Sequence, residues 1–145
     1  LNTLTRHIKE PDMDLKNLIP TTSVVELKLK HPFTREPLLN DDDTPMTITL
    51  YAVHSKEYKA ILHEQTNVRL KKAQGNKGRV DFTAEDLEDS TIDLFAKATK
   101  DWDLTFDGTK PKFSIGAAKD LYTQVFWMRD QIEEEISNSL DFTKV

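Results

Sequence analysis

The stretch Ser114–Leu140, SIGAAKDLYTQVFWMRDQIEEEISNSL, constrains the fold more than any other part of the chain. Ile115, Ala118, Leu121, Val125, Met128, Ile132 and Ile136 recur every three or four residues, which is the repeat of one helical face and not of a strand. The spacing predicts one long amphipathic helix. Ser114 stands where its hydroxyl can accept from the unpaired amides of the first turn, and Pro111 keeps the helix from starting earlier. Tyr122, Phe126 and Trp127 widen the apolar side beyond the stripe, while Arg129, Asp130, Glu133, Glu134 and Glu135 mark the wet side. A helix this apolar over its middle turns has to be covered. Whether the same chain supplies all of the cover is the functional question.

The chain has 145 residues, enough for one domain with a core that needs neither disulfide nor metal. At 37% hydrophobic and 31% charged residues it is poorer in apolar side chains and richer in charge than an average globular domain. The core is therefore modest, and part of the chain is arm or loop. A net charge of -5 repels a phosphate backbone and argues against nucleic-acid binding. Cysteine is absent, which removes disulfides, thiolate nucleophiles and cysteine metal ligands and fits a reducing compartment. No apolar run approaches the roughly 20 residues that cross a bilayer, and the first residues lack a signal peptide's apolar segment. Leu1 in place of Met reads as a trimmed start.

Residues 1–21 read as an arm in which Pro11 and Pro20 bracket a short helical piece; Leu15, Leu18 and Ile19 have the spacing to dock one turn against a neighbour. Val25, Leu27 and Leu29 then alternate with Glu26, Lys28 and Lys30, the pattern of a half-buried strand. Met46–His54 alternates again, with Met46, Ile48, Leu50 and Ala52 on one side. The connection HPFTREPLLNDDDTP, with three prolines and three consecutive aspartates, reads as a long exposed hairpin loop outside the ladder. Ser55 opens a helix with Tyr58, Ile61, Leu62, Gln65, Val68 and Arg69 on a common side, ended by Gly75. Thr83 and Asp86 form a capping pair for a second helix whose face is Leu87, Thr91, Leu94, Phe95 and Ala98. Trp102–Lys112 reads as a connector with a tight turn at Asp107-Gly108. The expected fold is α+β: an N-terminal two-stranded β-hairpin with a long loop, packed against three α-helices, the last the longest, forming a single domain over 22–145.

Chemistry-bearing constellations are scarce. His7, His31, His54 and His63 never fall at the spacing that sets two imidazoles on one metal. Asp101, Asp103 and Asp107 with Gly108 resemble a calcium loop only superficially, since Phe106 and Lys112 stand where its glycine and bidentate acid belong. His54-Ser55 lacks the glycine-framed turn of a nucleophilic serine, and four glycines supply no phosphate cradle. Neither cofactor, metal nor catalytic activity is expected. Lys71, Lys72, Lys77 and Arg79 make the one local basic patch, read as a solubilising helix end or, more sharply, as a dock for an acidic surface. The aromatics Tyr122, Phe126 and Trp127, with Trp102 and Phe113, read either as core or as a partner surface.

Two sets of residues carry a family likeness. The first runs Trp102-Asp103, Gly108, Pro111, Phe113-Ser114, Ala117, Leu121-Tyr122, Trp127, Arg129, Gln131-Ile132 and Asp141-Phe142. The second is Pro32, Thr34, Glu36-Pro37, the acidic loop, Ile48-Thr49-Leu50-Tyr51 and Ser55-Lys56-Glu57-Tyr58. Together they resemble the tail assembly chaperones of long-tailed bacteriophages over roughly residues 22 to 142. Gly116 departs from the pattern, which favours asparagine there.

The resemblance implies a non-enzymatic protein of the host cytoplasm, absent from the mature virion. It would bind the tape measure protein and keep it soluble during tail assembly, self-associating along it. It also implies a frameshifted longer form that recruits the tail tube protein, this chain being the short form. Tyr122, Phe126 and Trp127 are the expected partner or subunit contacts, with Leu15, Leu18 and Ile19 of the arm reaching an adjacent copy. The competing expectation is a structural tail-completion or head-tail joining protein of the virion, and a small hydrolase or nuclease is a third.

Overall fold

Alternation in the sequence becomes two paired strands. β1 (Val24–Lys28) and β2 (Thr47–Tyr51) run antiparallel, from Val24 opposite Tyr51 to Lys28 opposite Thr47. Their inward residues Leu27, Ile48 and Leu50 are buried, as are Leu29 and Ala52 just beyond. The computed structural model describes residues 14–75, 77 and 82–138.

A third strand corrects the two-stranded expectation. β3 (Thr99–Asp103) pairs antiparallel with the other side of β2, giving the order β1-β2-β3. Trp102 lies opposite Ile48 and Thr99 opposite Leu50, and Lys100 is the extra residue of a bulge. Because of the bulge, the two buried residues of β3 stand three apart instead of two, so the strand lacks the alternation by which strands are read. Of the expected connector, the tight turn stands. Asp107 and Gly108 both have positive φ, and Phe106 and Thr109 exchange backbone hydrogen bonds of 2.8 and 3.2 Å, the geometry of a two-residue hairpin turn.

The described residues form four helices rather than three. α1 (Lys56–Gly75) begins where the Ser55 hydroxyl accepts from the Tyr58 amide at 3.1 Å. At 20 residues it, and not the last helix, is the longest. α2 (Ala84–Ala98) has the reciprocal capping box expected of Thr83 and Asp86, each bond 3.1 Å. It passes into β3 without an intervening loop, Ala98 being followed directly by Thr99.

The long C-terminal helix is two helices. α3 (Ile115–Gln124), capped by Ser114 on Ala117, ends at Val125, whose ψ of 68° leaves the helical region, and α4 (Trp127–Ser137) follows. In a straight helix Trp127 would lie about 140° round from Tyr122, at 100° per residue. The break lets Tyr122 and Met128 enter the same core while Trp127 is half-buried beside it.

The helices cover one face of the sheet, and Tyr122, Ile48, Leu50 and Ile132 are the largest fully buried side chains at the joint. The His31–Pro45 connection is also more ordered than expected. Leu38 donates to the Leu29 carbonyl at 3.0 Å and accepts from the Met46 amide at 2.9 Å, so the loop folds back onto the hairpin it connects. Residues 1–13 of the arm, Arg79 of the basic patch, and Leu140, Asp141 and Phe142 lie outside the described residues.

Candidate functional site

The break between α3 and α4 opens an apolar cleft of about 220 Å³. Its floor is core: Leu29 from the end of the first hairpin strand, Leu104 after β3, Leu121 of α3 and Met128 of α4, all buried. Its walls are Leu38 and Met46 from the ordered loop and Val125 and Trp127 from the break, each half-buried. Thr105 and Phe106 close one end. Phe126, between two lining residues, keeps 65% of its surface in solvent. An apolar ring left this exposed marks a surface that can bury more area than the chain itself supplies.

Asn40 ties the loop side of the cleft to the segment after β3. Only 3% exposed, it accepts from the Thr105 hydroxyl at 2.6 Å, while its amide nitrogen reaches the Thr44 hydroxyl at 3.2 Å and Asp103 Oδ1 at 3.3 Å. Its own amide donates to the Thr44 carbonyl at 2.7 Å, closing a turn in which Asp43 has positive φ. The acidic run read as a solvated loop therefore starts with a buried residue that ties the loop to the segment after β3. Asn and Asp are the residues whose side chains form such local turns.

Charge gathers in the turns that follow Asn40 and Phe106. Asp41, Asp42 and Asp43 follow Asn40, and Asp107 follows Phe106. Lys110 bridges Asp42 at 3.2 Å and Asp103 at 3.0 Å. The Thr44 hydroxyl, then Lys110, hold the Asp42 carboxyl down at about 2. The same two aspartates, Asp103 first, raise the Lys110 ammonium above its ordinary value.

The residues expected to meet a partner have separate fates. Tyr122 is corrected to core: it is fully buried, hydrogen-bonded to the Thr99 hydroxyl at 2.7 Å and edge-on to Trp102, and burial pushes its phenol up. No surface of it is left for a partner. Trp127 lies in the cleft wall, while Phe126, next to it in the chain, is exposed and is not among the lining residues. Leu15, Leu18 and Ile19 are exposed on and beside a single 3-10 turn (Leu15–Leu18) that buries no residue. Within the basic patch, Lys71, Lys72 and Lys77 are exposed.

Among the described residues no group of three or more His, Asp or Glu converges on a metal position. His31 accepts from the Phe33 and Thr34 amides, and His54 donates from Nε2 to the Thr22 carbonyl at 2.6 Å, both serving local backbone. Sequence reasoning missed Leu38, Met46, Leu104 and Phe106 as cleft residues and Gln131 as a buried brace. The Gln131 amide donates to the Lys30 carbonyl at 2.8 Å and accepts from its amide at 3.1 Å, joining α4 to the chain just after β1. Phe106 beside an Asp-Gly turn was a readable signal for an exposed ring; for Gln131 there was none. A scan against protein-family models finds none that matches the chain, and searches of curated proteins and of solved structures find no match either.

Proposed function

We propose that this chain is a tail assembly chaperone of a long-tailed bacteriophage. It binds the tape measure protein through the cleft at the α3–α4 break and keeps that protein soluble without chemical catalysis. The observation that supports this most is the cleft itself, a hollow lined almost wholly by apolar side chains, with the exposed Phe126 between its lining residues Val125 and Trp127 in the chain. A long amphipathic client helix is held by apolar anchors entering such grooves, not by a reaction centre. Copies set side by side along one tape gain avidity from many weak contacts, and the exposed Leu15, Leu18 and Ile19 are available for contact between copies.

Co-expression with the tape measure protein of the same genome tests the reading. Wild-type chain should carry the tape into the soluble fraction and co-purify with it. Phe126→Ala, at a residue already mostly in solvent, should lose the tape while keeping the wild-type melting temperature. Tape that stays soluble and bound with Phe126→Ala, or purified phage particles that retain the chain as a subunit, would overturn the proposal, the second result in favour of a structural virion part.

A further inference from the structure

We infer that the cleft selects a cationic amphipathic segment, one whose apolar anchors are flanked by lysine or arginine. This rests on the reading of the cleft as a docking site and adds the chemistry of the occupant. Two features point to it. At about 220 Å³ the hollow is smaller than the roughly 300 to 1,000 Å³ of small-molecule pockets, and suits a few side chains of a larger partner. The turns that continue from its lining segments are acidic. Asp107 directly follows the lining Phe106, Asp41, Asp42 and Asp43 follow Asn40, whose side chain bonds the lining Thr105, and Lys110 is shared between Asp42 and Asp103. Among the described residues no lysine or arginine pairs with the exposed Asp41, Asp43 or Asp107. An apolar hollow whose adjoining turns carry carboxylates without a basic partner attracts a partner of opposite charge and repels an acidic one.

A larger groove, between β1 and α4, shows the contrast. There Glu26, Glu134 and Glu135 line the surface together with Lys28, Lys30 and Arg35, so charge gives no preference of sign.

Three synthetic helices of about 18 residues, roughly five turns, test the inference. They share one leucine stripe and carry lysine, glutamine or glutamate at every polar position. Binding is followed through the fluorescence of Trp127 in the cleft wall and by calorimetry. At low salt the lysine peptide should bind roughly tenfold tighter than the glutamine peptide and the glutamate peptide weakest, the order collapsing in about 0.5 M salt.

Replacing Asp41, Asp43 and Asp107 together by Asn should erase the preference while leaving glutamine-peptide affinity unchanged. Asn is chosen because it tolerates the positive φ of Asp43 and Asp107. Glu85→Gln, Glu133→Gln and Glu134→Gln together remove as much charge elsewhere and should leave the preference intact. Equal binding of the lysine and glutamine peptides overturns the inference. So does a preference that survives the Asn variant, or a self-associated form of the chain that no peptide displaces from the cleft. A chain that prefers the lysine peptide yet fails to solubilise the tape overturns only the proposed function.

Discussion

The longest helix and the last helix divide the labour of this molecule in opposite ways. α1 has 20 residues and buries one of them, Tyr58; α4 has 11 and buries Met128, Gln131, Ile132 and Ile136. Beyond its first turns α1 has α2 as its chief neighbour, through Gln65 to the Ser90 carbonyl at 2.9 Å and Arg69 stacked 4.6 Å from the Phe82 ring, and Val68 and Leu70 remain about half exposed. α4 instead lies against the sheet edge and the core. Helix length therefore says little about contribution to stability. What counts is how much apolar surface a neighbour removes from water.

That contrast is broken most severely by truncating α4. Ile132→Ala should cost about 2 to 5 kcal/mol of unfolding free energy in urea titration, because Ile132 is fully buried, whereas Leu70→Ala in α1 should stay within about 0.5 kcal/mol. Equal effects would mean that the distal half of α1 is part of the core. Asn40→Ala ranks next. Its loss removes the buried acceptor of the Thr105 hydroxyl and the amide bonds to the Thr44 hydroxyl and Asp103 Oδ1, for an expected cost of about 1 to 3 kcal/mol by the same titration.

Tyr122→Phe removes one buried hydrogen bond to Thr99, which keeps its bond to the Phe95 carbonyl, and should cost about 0.5 to 1.5 kcal/mol. It also carries a pH signature. Burial raises the Tyr122 phenol above its ordinary value of 10.0, so the folded state resists ionisation that the unfolded chain accepts. Stability is fully present below about pH 10 and falls as pH rises beyond it. In melts across that range the Phe variant should lose this part of the alkaline decline.

The smallest effect is at the acidic turn. Asp42 is lowered from 3.8 to about 2, so its contribution is present above the ordinary value and is lost as pH falls toward the lower one. Because Asp42 is at the surface, the change should show as a local shift of Thr44 and Lys110 signals in NMR and not as global unfolding.

Phe126 and Tyr122 show how far the sequence reaches. Both widen the same apolar side, and residue type does not separate them; in the structure Phe126 is exposed and Tyr122 is fully buried in the core. The seven-residue stripe is satisfied by a straight helix and by a broken one alike, so the turn of the axis at Val125 is not encoded in its period. β3 was illegible for a related reason, since a bulge replaces alternation with a spacing of three. The cleft combines residues of the first hairpin, the loop, the segment after β3, and α3 and α4, contacts whose separation along the chain leaves no local trace.

The sequence alone determined what short-range forces decide: the alternation of β1 and β2, the Thr83–Asp86 capping box, the Asp107-Gly108 turn, the apolar stripe and the acidic balance. Tertiary structure decided the third strand, the helix break, the burial of Tyr122 and Asn40, and the cleft beside Phe126. Those depend on which surfaces meet, because the free energy of burying a side chain is set by neighbours distant in sequence and not by the residue's own conformational preference.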